Sequence, residues 1–128
     1  MKYTIDKHDR YVVIEPLGAV LDGVAATKLT AEFMLRNTSG LRNIVLDLSN
    51  VEDASEDGLR MGLLARRLCK ASGGLFIITG LNEKVTNLLK ITNLYPYFKI
   101  VPSLDDAENM IFGNEIRLDL RGEVKGEV

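Results

Sequence analysis

The residues whose types and spacing could do chemistry are gathered in one short acidic segment, Glu52 to Gly58, which reads EDASEDG. Carboxylates bind cations and basic side chains, and a serine hydroxyl can accept a phosphoryl group. Helix capping explains part of the pattern, because Ser55 is a favourable N-cap and Glu56 and Asp57 suit the positive end of a helix dipole. Capping does not explain why so much negative charge lies at one junction. The acidic segment is therefore the first candidate for a binding or modification site.

Asp47 is a second candidate, because it directly follows the apolar run Ile44 to Leu46. Open α/β sheets place their sites at the carboxyl ends of strands. One hypothesis is therefore a flavodoxin-like domain in which Asp47 accepts a phosphoryl group or contacts a small molecule. A phospho-accepting receiver domain would also need a divalent metal held by further carboxylates at the end of the first strand, and a late lysine. The early strands do not end in an acidic pair and no lysine directly follows the last strand, so this hypothesis is the weaker one.

No catalytic pattern is found elsewhere in the sequence. The single histidine, His8, falls in a polar turn, and the single cysteine, Cys69, falls in a helical segment where a packing role is expected. The sequence has neither a phosphate-binding glycine loop nor a nucleophile elbow. Gly73-Gly74 follows a helix instead of preceding one, so it is interpreted as a helix C-cap. We therefore predict a protein that is not an enzyme, with no catalytic residues, no metal and no cofactor.

Composition indicates an ordinary globular chain. The 128 residues are 46% apolar and 27% charged, which suits one domain with its own core. The net charge is −2 and no basic block is present, which argues against nucleic acid as a partner. No apolar stretch approaches the roughly 20 residues needed to cross a membrane, and the N-terminus has no apolar signal segment. We expect no membrane partner, and we expect a cytoplasmic location.

Strands and helices are predicted to alternate in the order ββαβαβαβα, which indicates a mostly parallel sheet with right-handed crossovers. The first two strands form a hairpin across a polar turn. The predicted strands are residues 3–5, 11–15, 44–46, 75–79 and 98–101, and the predicted helices are residues 24–37, 57–71, 82–92 and 104–112. The domain is assigned to residues 1–112, because Gly113 is expected to break the last helix.

Residues 113–128 are predicted to form a C-terminal extension of a different kind. Glu115 to Arg121 alternates strictly between polar and apolar residues, which is typical of a strand. Such a strand could join the edge of the sheet or pair with a second copy in a homodimer, or the segment could stay loose in solution, and the last seven residues look frayed. A subunit of a larger scaffold, assembled through this extension, is a third functional hypothesis.

The ordered set of segments over about residues 3–112 resembles a STAS domain, and is most similar to the bacterial anti-sigma-factor antagonists. The resemblance is carried by Val45 to Val51 (VLDLSNV), the helix opening at Gly58-Leu59, Ile91 to Leu94 (ITNL) and Ser103 to Ala107 (SLDDA). It implies a STAS-like α/β fold, in which a mixed, mostly parallel sheet of about five strands packs with about four helices. It also implies a regulatory protein as partner, such as an anti-sigma factor with serine kinase activity.

The chain departs from that family at the switch position. In the antagonists the helix opens with Asp-Ser-Ser-Gly-Leu, and the partner kinase phosphorylates the first serine. An alignment without gaps places Ser55 on the aspartate, Glu56 on the phosphorylated serine and Asp57 on the second serine. Three interpretations remain open: Glu56 is a permanent, partial mimic of phosphoserine, the domain is an unswitched interaction module, or phosphorylation has moved to Ser55.

Helical periodicity predicts which faces of two helices meet a partner. In the second helix, the core stripe is assigned to Met61, Leu64, Ala65 and Leu68, and Leu59 and Leu63 fall on the opposite side among basic residues. The first helix has one apolar face with Ala26, Leu29 and Phe33, and a second, covered or meeting a partner, with Val24, Ala31 and Leu35. The residues predicted to bind a partner protein are Ser55, Glu56, Asp57, Gly58, Leu59 and Leu63.

Overall fold

The computed structural model describes the backbone of residues 2–126 and the side chains of residues 2–121. The five strands of its main sheet are Tyr3–Lys7 (β1), Val12–Pro16 (β2), Ile44–Asp47 (β4), Phe76–Thr79 (β6) and Lys99–Val101 (β7). They lie in the order β1-β2-β4-β6-β7. The β1–β2 hairpin is antiparallel, and the other neighbouring pairs are parallel. Two short strands, Val20–Leu21 (β3) and Asp53–Ala54 (β5), form a separate parallel pair.

Four α-helices connect or follow these strands: Gly23–Thr38 (α1), Glu56–Ala71 (α2), Glu83–Ile91 (α3) and Leu104–Gly126 (α4), with a 3-10 helix at Tyr95–Tyr97. The first three begin at side-chain caps, which are Asp22, Ser55 and Asn82. The predicted mixed sheet of five strands with four helices is confirmed. The pair β3–β5 was not predicted, because a strand of two residues has no detectable period.

The central strands are buried on both faces, as their uninterrupted apolar runs indicate. Ile44, Leu46 and Ile78 face the layer formed by α1, α2 and α3. Val45 and Ile77 face the other side, where α4 contributes Ala107 and Ile111. Within the first layer, Phe76 makes edge-to-face contacts with Phe33 and Phe98, with centroid distances of 5.7 and 6.1 Å.

The two apolar faces of α1 have different surroundings. Ala26, Leu29 and Phe33 are buried in the core, as predicted. Val24 and Leu35, on the second face, are 72% and 55% exposed. No part of the described chain therefore covers these two residues.

The predicted strand in the C-terminal extension and the predicted helix break at Gly113 are wrong. Residues 115–121 form part of α4 and no strand, and α4 crosses Gly113 and the predicted domain boundary without a break. The inner stripe of this helix is Ile111, Asn114, Glu115 and Leu118, in which polar residues occupy two positions, so an apolar periodicity was not visible. The frayed tail was predicted over residues 122–128; the helix continues to Gly126, and residues 127–128 lie outside the described residues.

Among residues 2–126, no helix combines the length and the apolarity that crossing a membrane would require.

Candidate functional site

The acidic segment, residues 52–58, is anchored by main-chain hydrogen bonds to β3. The N–H of Asp53 donates to the carbonyl oxygen of Ala19 at 3.1 Å, and the N–H of Ser55 donates to the carbonyl oxygen of Leu21 at 2.9 Å. These bonds continue the β3–β5 pairing up to Ser55, the N-cap of α2. The backbone of the acidic segment is therefore held in place.

The expected cap at Ser55 is confirmed. Its hydroxyl oxygen accepts a hydrogen bond from the N–H of Gly58 at 3.1 Å. Glu56 and Asp57 occupy the first turn of α2, where the helix dipole favours negative charge, and both side chains are exposed. The capping geometry thus presents two carboxylates to solvent from a fixed backbone.

Two of the four carboxylates are partly neutralised. Asp53 lies 3.1 Å from the Lys84 ammonium, and this hydrogen bond lowers the pKa of the aspartate below its usual range. Glu56 lies 3.4 Å from the Arg60 guanidinium, one helical turn away. Such exposed pairs stabilise a fold only weakly. No other ion pair reaches the segment from the described residues, so its surface remains acidic.

Gly58 sits where α2 meets the backbone of β3. A Cβ atom at this position would lie 2.1 Å from the carbonyl oxygen of Leu21 and 2.7 Å from its carbon. Any other residue would push the first turn of α2 away from the strand that anchors the acidic segment. Gly58 is therefore a positioning residue, buried instead of available to a partner.

The predicted orientation of α2 is wrong: of the predicted core stripe, Met61 and Ala65 are buried in the core, but Leu64 and Leu68 are only half-buried and lie outside it. Leu59 is only 4% exposed and belongs to the core, so it cannot form the outward docking patch. Leu63 is half-buried and packs at the edge of the core, beside the exposed surface. The prediction failed because it assigned the core side of α2 from its large apolar residues. The helix approaches the core most closely at glycines instead, since a Cβ atom added at Gly62 would lie 2.8 Å from the Phe98 ring.

The structure adds two exposed valines that sequence reasoning did not connect with the acidic segment. Val20 of β3 pairs with Asp53, and Val20 is 50% exposed. Val24 lies in the first turn of α1. Its neighbour Gly23 lies close to the acidic segment, because a Cβ atom added at Gly23 would be 3.7 Å from the Cβ of Asp57. This valine pair and the acidic segment together form an apolar and acidic surface. The isolated valines carried no sequence signal for this, because the neighbourhood depends on the β3–β5 pairing.

Asp47 lies at the carboxyl end of β4, on the face of the sheet that α4 covers. It is 6% exposed, and one of its carboxylate oxygens accepts hydrogen bonds from the N–H and the hydroxyl of Ser49. The register of β2 and β4 brings Glu15 beside it. Burial, together with the neighbouring Asp47 carboxylate, raises the pKa of Glu15. The described residues contain no group of three or more acidic, histidine or cysteine side chains that could hold a metal.

Glu15→Gln is expected to raise the free energy of unfolding at pH 7. Because the folded pKa of Glu15 lies above its unfolded value, the folded state favours the protonated carboxyl, and this advantage is lost as the pH rises through the folded pKa. A neutral amide avoids the cost of the buried charge, so the gain should shrink as the pH falls toward about 4. Urea unfolding between pH 4 and pH 8, with the exposed Glu52→Gln as control, measures the difference. A loss of stability at every pH would contradict the expectation.

Cys69 is a packing residue, as predicted. Its side chain is fully buried in the core, and burial raises the pKa of its thiol to about 12. A thiol with so high a pKa is not a nucleophile at neutral pH.

The chain thus folds as an α/β domain with a mixed sheet, an acidic strand-to-helix junction and two exposed valines near that junction. Residues 2–107 match the family model of the STAS domain, and the chain belongs to this family. The resemblance inferred from the sequence is thereby confirmed.

Three relatives illustrate the similarity. BtrV of Bordetella bronchiseptica, named as a candidate anti-sigma factor antagonist, is 30% identical over 107 residues, which are 84% of this chain and 91% of BtrV. The crystal structure of TM1081, a candidate anti-sigma factor antagonist from Thermotoga maritima, has a TM-score of 0.76 at 25% identity, covering 85% of this chain and 93% of TM1081. A serine-to-glutamate variant of RsbS from Moorella thermoacetica has a TM-score of 0.68 at 25% identity, covering 86% and 97% of the two chains.

Proposed function

We propose that this chain is a non-catalytic regulatory domain of the anti-sigma-factor-antagonist type, which binds a regulatory protein such as an anti-sigma factor. Its binding surface consists of the acidic segment, the valine pair Val20 and Val24, and the outward side of α2 at Leu63. The observation that carries the proposal is the exposure of the valine pair beside fixed carboxylates. Apolar anchors beside charged groups are the usual composition of a protein-binding surface.

The proposal includes a changed switch position. The ungapped alignment inferred from the sequence puts Glu56 at the position of the phosphorylated serine, and the Glu56 side chain has no hydroxyl to accept a phosphoryl group. Its carboxylate has a charge of −1, compared with about −1.5 to −2 for phosphoserine, and it lacks the third oxygen. A serine-to-glutamate variant of RsbS is among the solved structures similar to this chain, and a glutamate introduced into such a domain is consistent with the proposal. We infer an unswitched module in which Glu56 contributes a permanent negative charge.

Val24→Asp is expected to weaken binding to the cognate anti-sigma factor by about tenfold or more. A buried carboxylate at this position would lie among the other acids of the surface and would lose its water on binding. Isothermal titration of the purified chain against the serine-kinase anti-sigma factors encoded in the same genome measures the effect. Leu35→Asp is the matched control, because it makes the same change at the other end of α1, where the side chain is also exposed. If both variants weakened binding equally, the assignment of this surface would be contradicted.

The phosphorylation state of the junction is tested with the same kinases. Wild-type protein is expected to gain no phosphoryl group, whereas Glu56→Ser restores a hydroxyl in the first turn of α2. Adding Ser55→Ala to the wild type and to Glu56→Ser reports whether Ser55 is modified. We expect no modification there, because Glu56 and Asp57 would repel a phosphoryl group on Ser55. Intact mass distinguishes the results. Phosphorylation of the wild type that Ser55→Ala abolishes would replace the unswitched interpretation by a switch at Ser55.

A further inference from the structure

A large groove lies on the side of α2 that faces the end of α3. It has a volume of about 750 Å³, and its floor and walls come from α2 between Arg60 and Ala71, the turn after α3 and the 3-10 helix. Pockets for small molecules usually have volumes of about 300–1,000 Å³. The groove therefore has the size of a ligand site. We call it the basic groove, after four of its residues: Arg60, Arg66, Arg67 and Lys70.

The charge of the basic groove contrasts with that of the whole chain, whose net charge is −2. Its lining contains four basic residues and no acidic one. Arg60 pairs with Glu56, but Arg66, Arg67 and Lys70 make no ion pair with any described residue. Three cations thus line one concavity without a carboxylate to balance them.

Helix stability does not account for this arrangement. One cation in the last turn of α2 suits the negative end of the helix dipole, and Lys70 fills that role. Arg66 and Arg67 lie four and three residues before Lys70, so each adds a like-charge neighbour on the helix surface. Such pairs destabilise a helix by a few tenths of a kcal/mol each. A bound anion would convert this repulsion into attraction.

The opposite wall supplies an aromatic ring and an amide. The Tyr97 ring is half-exposed, and the Arg66 guanidinium lies over it at 5.9 Å, which holds this side chain across the groove. Asn93 lies two residues after the end of α3, has a left-handed φ of 62°, and lines the groove. A guanidinium held by an aromatic face is better ordered for binding an anion than a free one.

We propose that the basic groove binds a small anion that carries at least two phosphate groups. The three cations without an ion pair, Arg66, Arg67 and Lys70, lie within about one turn of α2, a rise of about 6 Å at 1.5 Å per residue. A linked pair of phosphates matches that length and can present oxygens to all three cations, whereas a single phosphate is shorter and carries less charge. The basic groove borders the proposed protein-binding surface at Leu63, but the cations Arg66, Arg67 and Lys70 lie outside that surface. Anion binding is measured on the isolated chain, so either proposal can fail alone.

Inorganic pyrophosphate is the probe for this site, with inorganic phosphate as the weaker comparison. At about 0.15 M salt, where exposed charges are screened, pyrophosphate is expected to bind at least about tenfold more tightly than phosphate in isothermal titration. The double variant Arg67→Gln/Lys70→Gln should weaken pyrophosphate binding by about tenfold or more. Lys7→Gln/Lys28→Gln removes two exposed positive charges elsewhere and should change it less than about twofold. Thermal unfolding of each variant verifies that it is folded.

Three outcomes would overturn the proposal. One is no binding of pyrophosphate to the wild type, and another is equal weakening by the two double variants, which would mean non-specific attraction. The third is sedimentation with vesicles of phosphatidylglycerol and phosphatidylcholine that requires Arg67 and Lys70, without binding of free pyrophosphate. That result would assign the basic groove to a lipid surface.

Discussion

Replacing Gly58 by alanine is expected to destabilise the protein by about 3 kcal/mol or more, which is the range of severe core changes. The added methyl group would lie 2.1 Å from the Leu21 carbonyl oxygen, and this atom belongs to the backbone, so no side-chain rotation can relieve the contact. Either α2 or β3 has to move. Because Ser55 is bonded to the same carbonyl oxygen, the acidic segment would move with them.

Urea or thermal unfolding measures this effect, and Gly113→Ala is the matched control. Gly113 also lies within a helix, but no atom lies within 4 Å of the position that its Cβ would occupy. Alanine there should stabilise the protein by about 0.5–1 kcal/mol, because it restricts the unfolded chain and favours the helix. The two glycines therefore predict opposite signs for the same substitution. If Gly58→Ala were as well tolerated as Gly113→Ala, the close packing of α2 on β3 would be incorrect.

Glu115→Ala is expected to lower the free energy of unfolding by about 3–5 kcal/mol, which is the usual effect of removing one partner of a buried ion pair. Glu115 is 4% exposed and accepts hydrogen bonds from the Arg42 guanidinium and from the side-chain amide of Asn43, the latter at 2.6 Å. Arg10 lies 3.5 Å away. Alanine would leave Asn43, which is fully buried, and Arg42 without this carboxylate. These contacts attach the second half of α4 to the amino-terminal ends of the strands.

The pH dependence of stability gives an independent measurement. The hydrogen bond from Arg42 holds the pKa of Glu115 below its usual range, so the carboxylate stabilises the fold above the unfolded pKa of about 4.3. That contribution is lost as the pH falls through the folded pKa. Wild-type protein should therefore lose stability toward pH 3 more steeply than Glu115→Ala does. Asp119→Ala is the control, because the Asp119 side chain is 60% exposed and its ion pair with Arg10 is long, at 3.8 Å. An equal loss of stability in both variants would exclude a special role for Glu115.

Local patterns in the sequence were sufficient for much of the fold. Continuous apolar runs predicted β4 and β6, because strands buried on both faces need no polar alternation. The caps at Ser55 and Asn82 predicted where α2 and α3 begin, since capping depends on residues within one helical turn. The same locality explains why the acidic segment was found from sequence alone. Its four acidic residues are neighbours in the chain, and their position before a helix follows from the cap.

Contacts between distant residues could not be predicted in this way. The helical wheel assigned Leu59 to the outside, whereas the approach of Gly58 to Leu21 and of Gly62 to Phe98 turns Leu59 into the core. The alternating residues 115–121 read as a strand, because the polar residues of the inner stripe bond to partners about 40 to 70 positions away. Such partners leave no periodic signal in the helix itself.

The sequence by itself thus determined the family, the order of the elements and the acidic segment at the start of α2. Only the tertiary structure decided what surrounds that segment. It placed Val20 and Val24 beside the carboxylates and Glu15 beside Asp47, and it formed the basic groove between α2 and the turn after α3. The physical reason is that capping and burial periodicity act over a few residues, whereas a binding surface is made by strand pairing and helix packing across the whole chain.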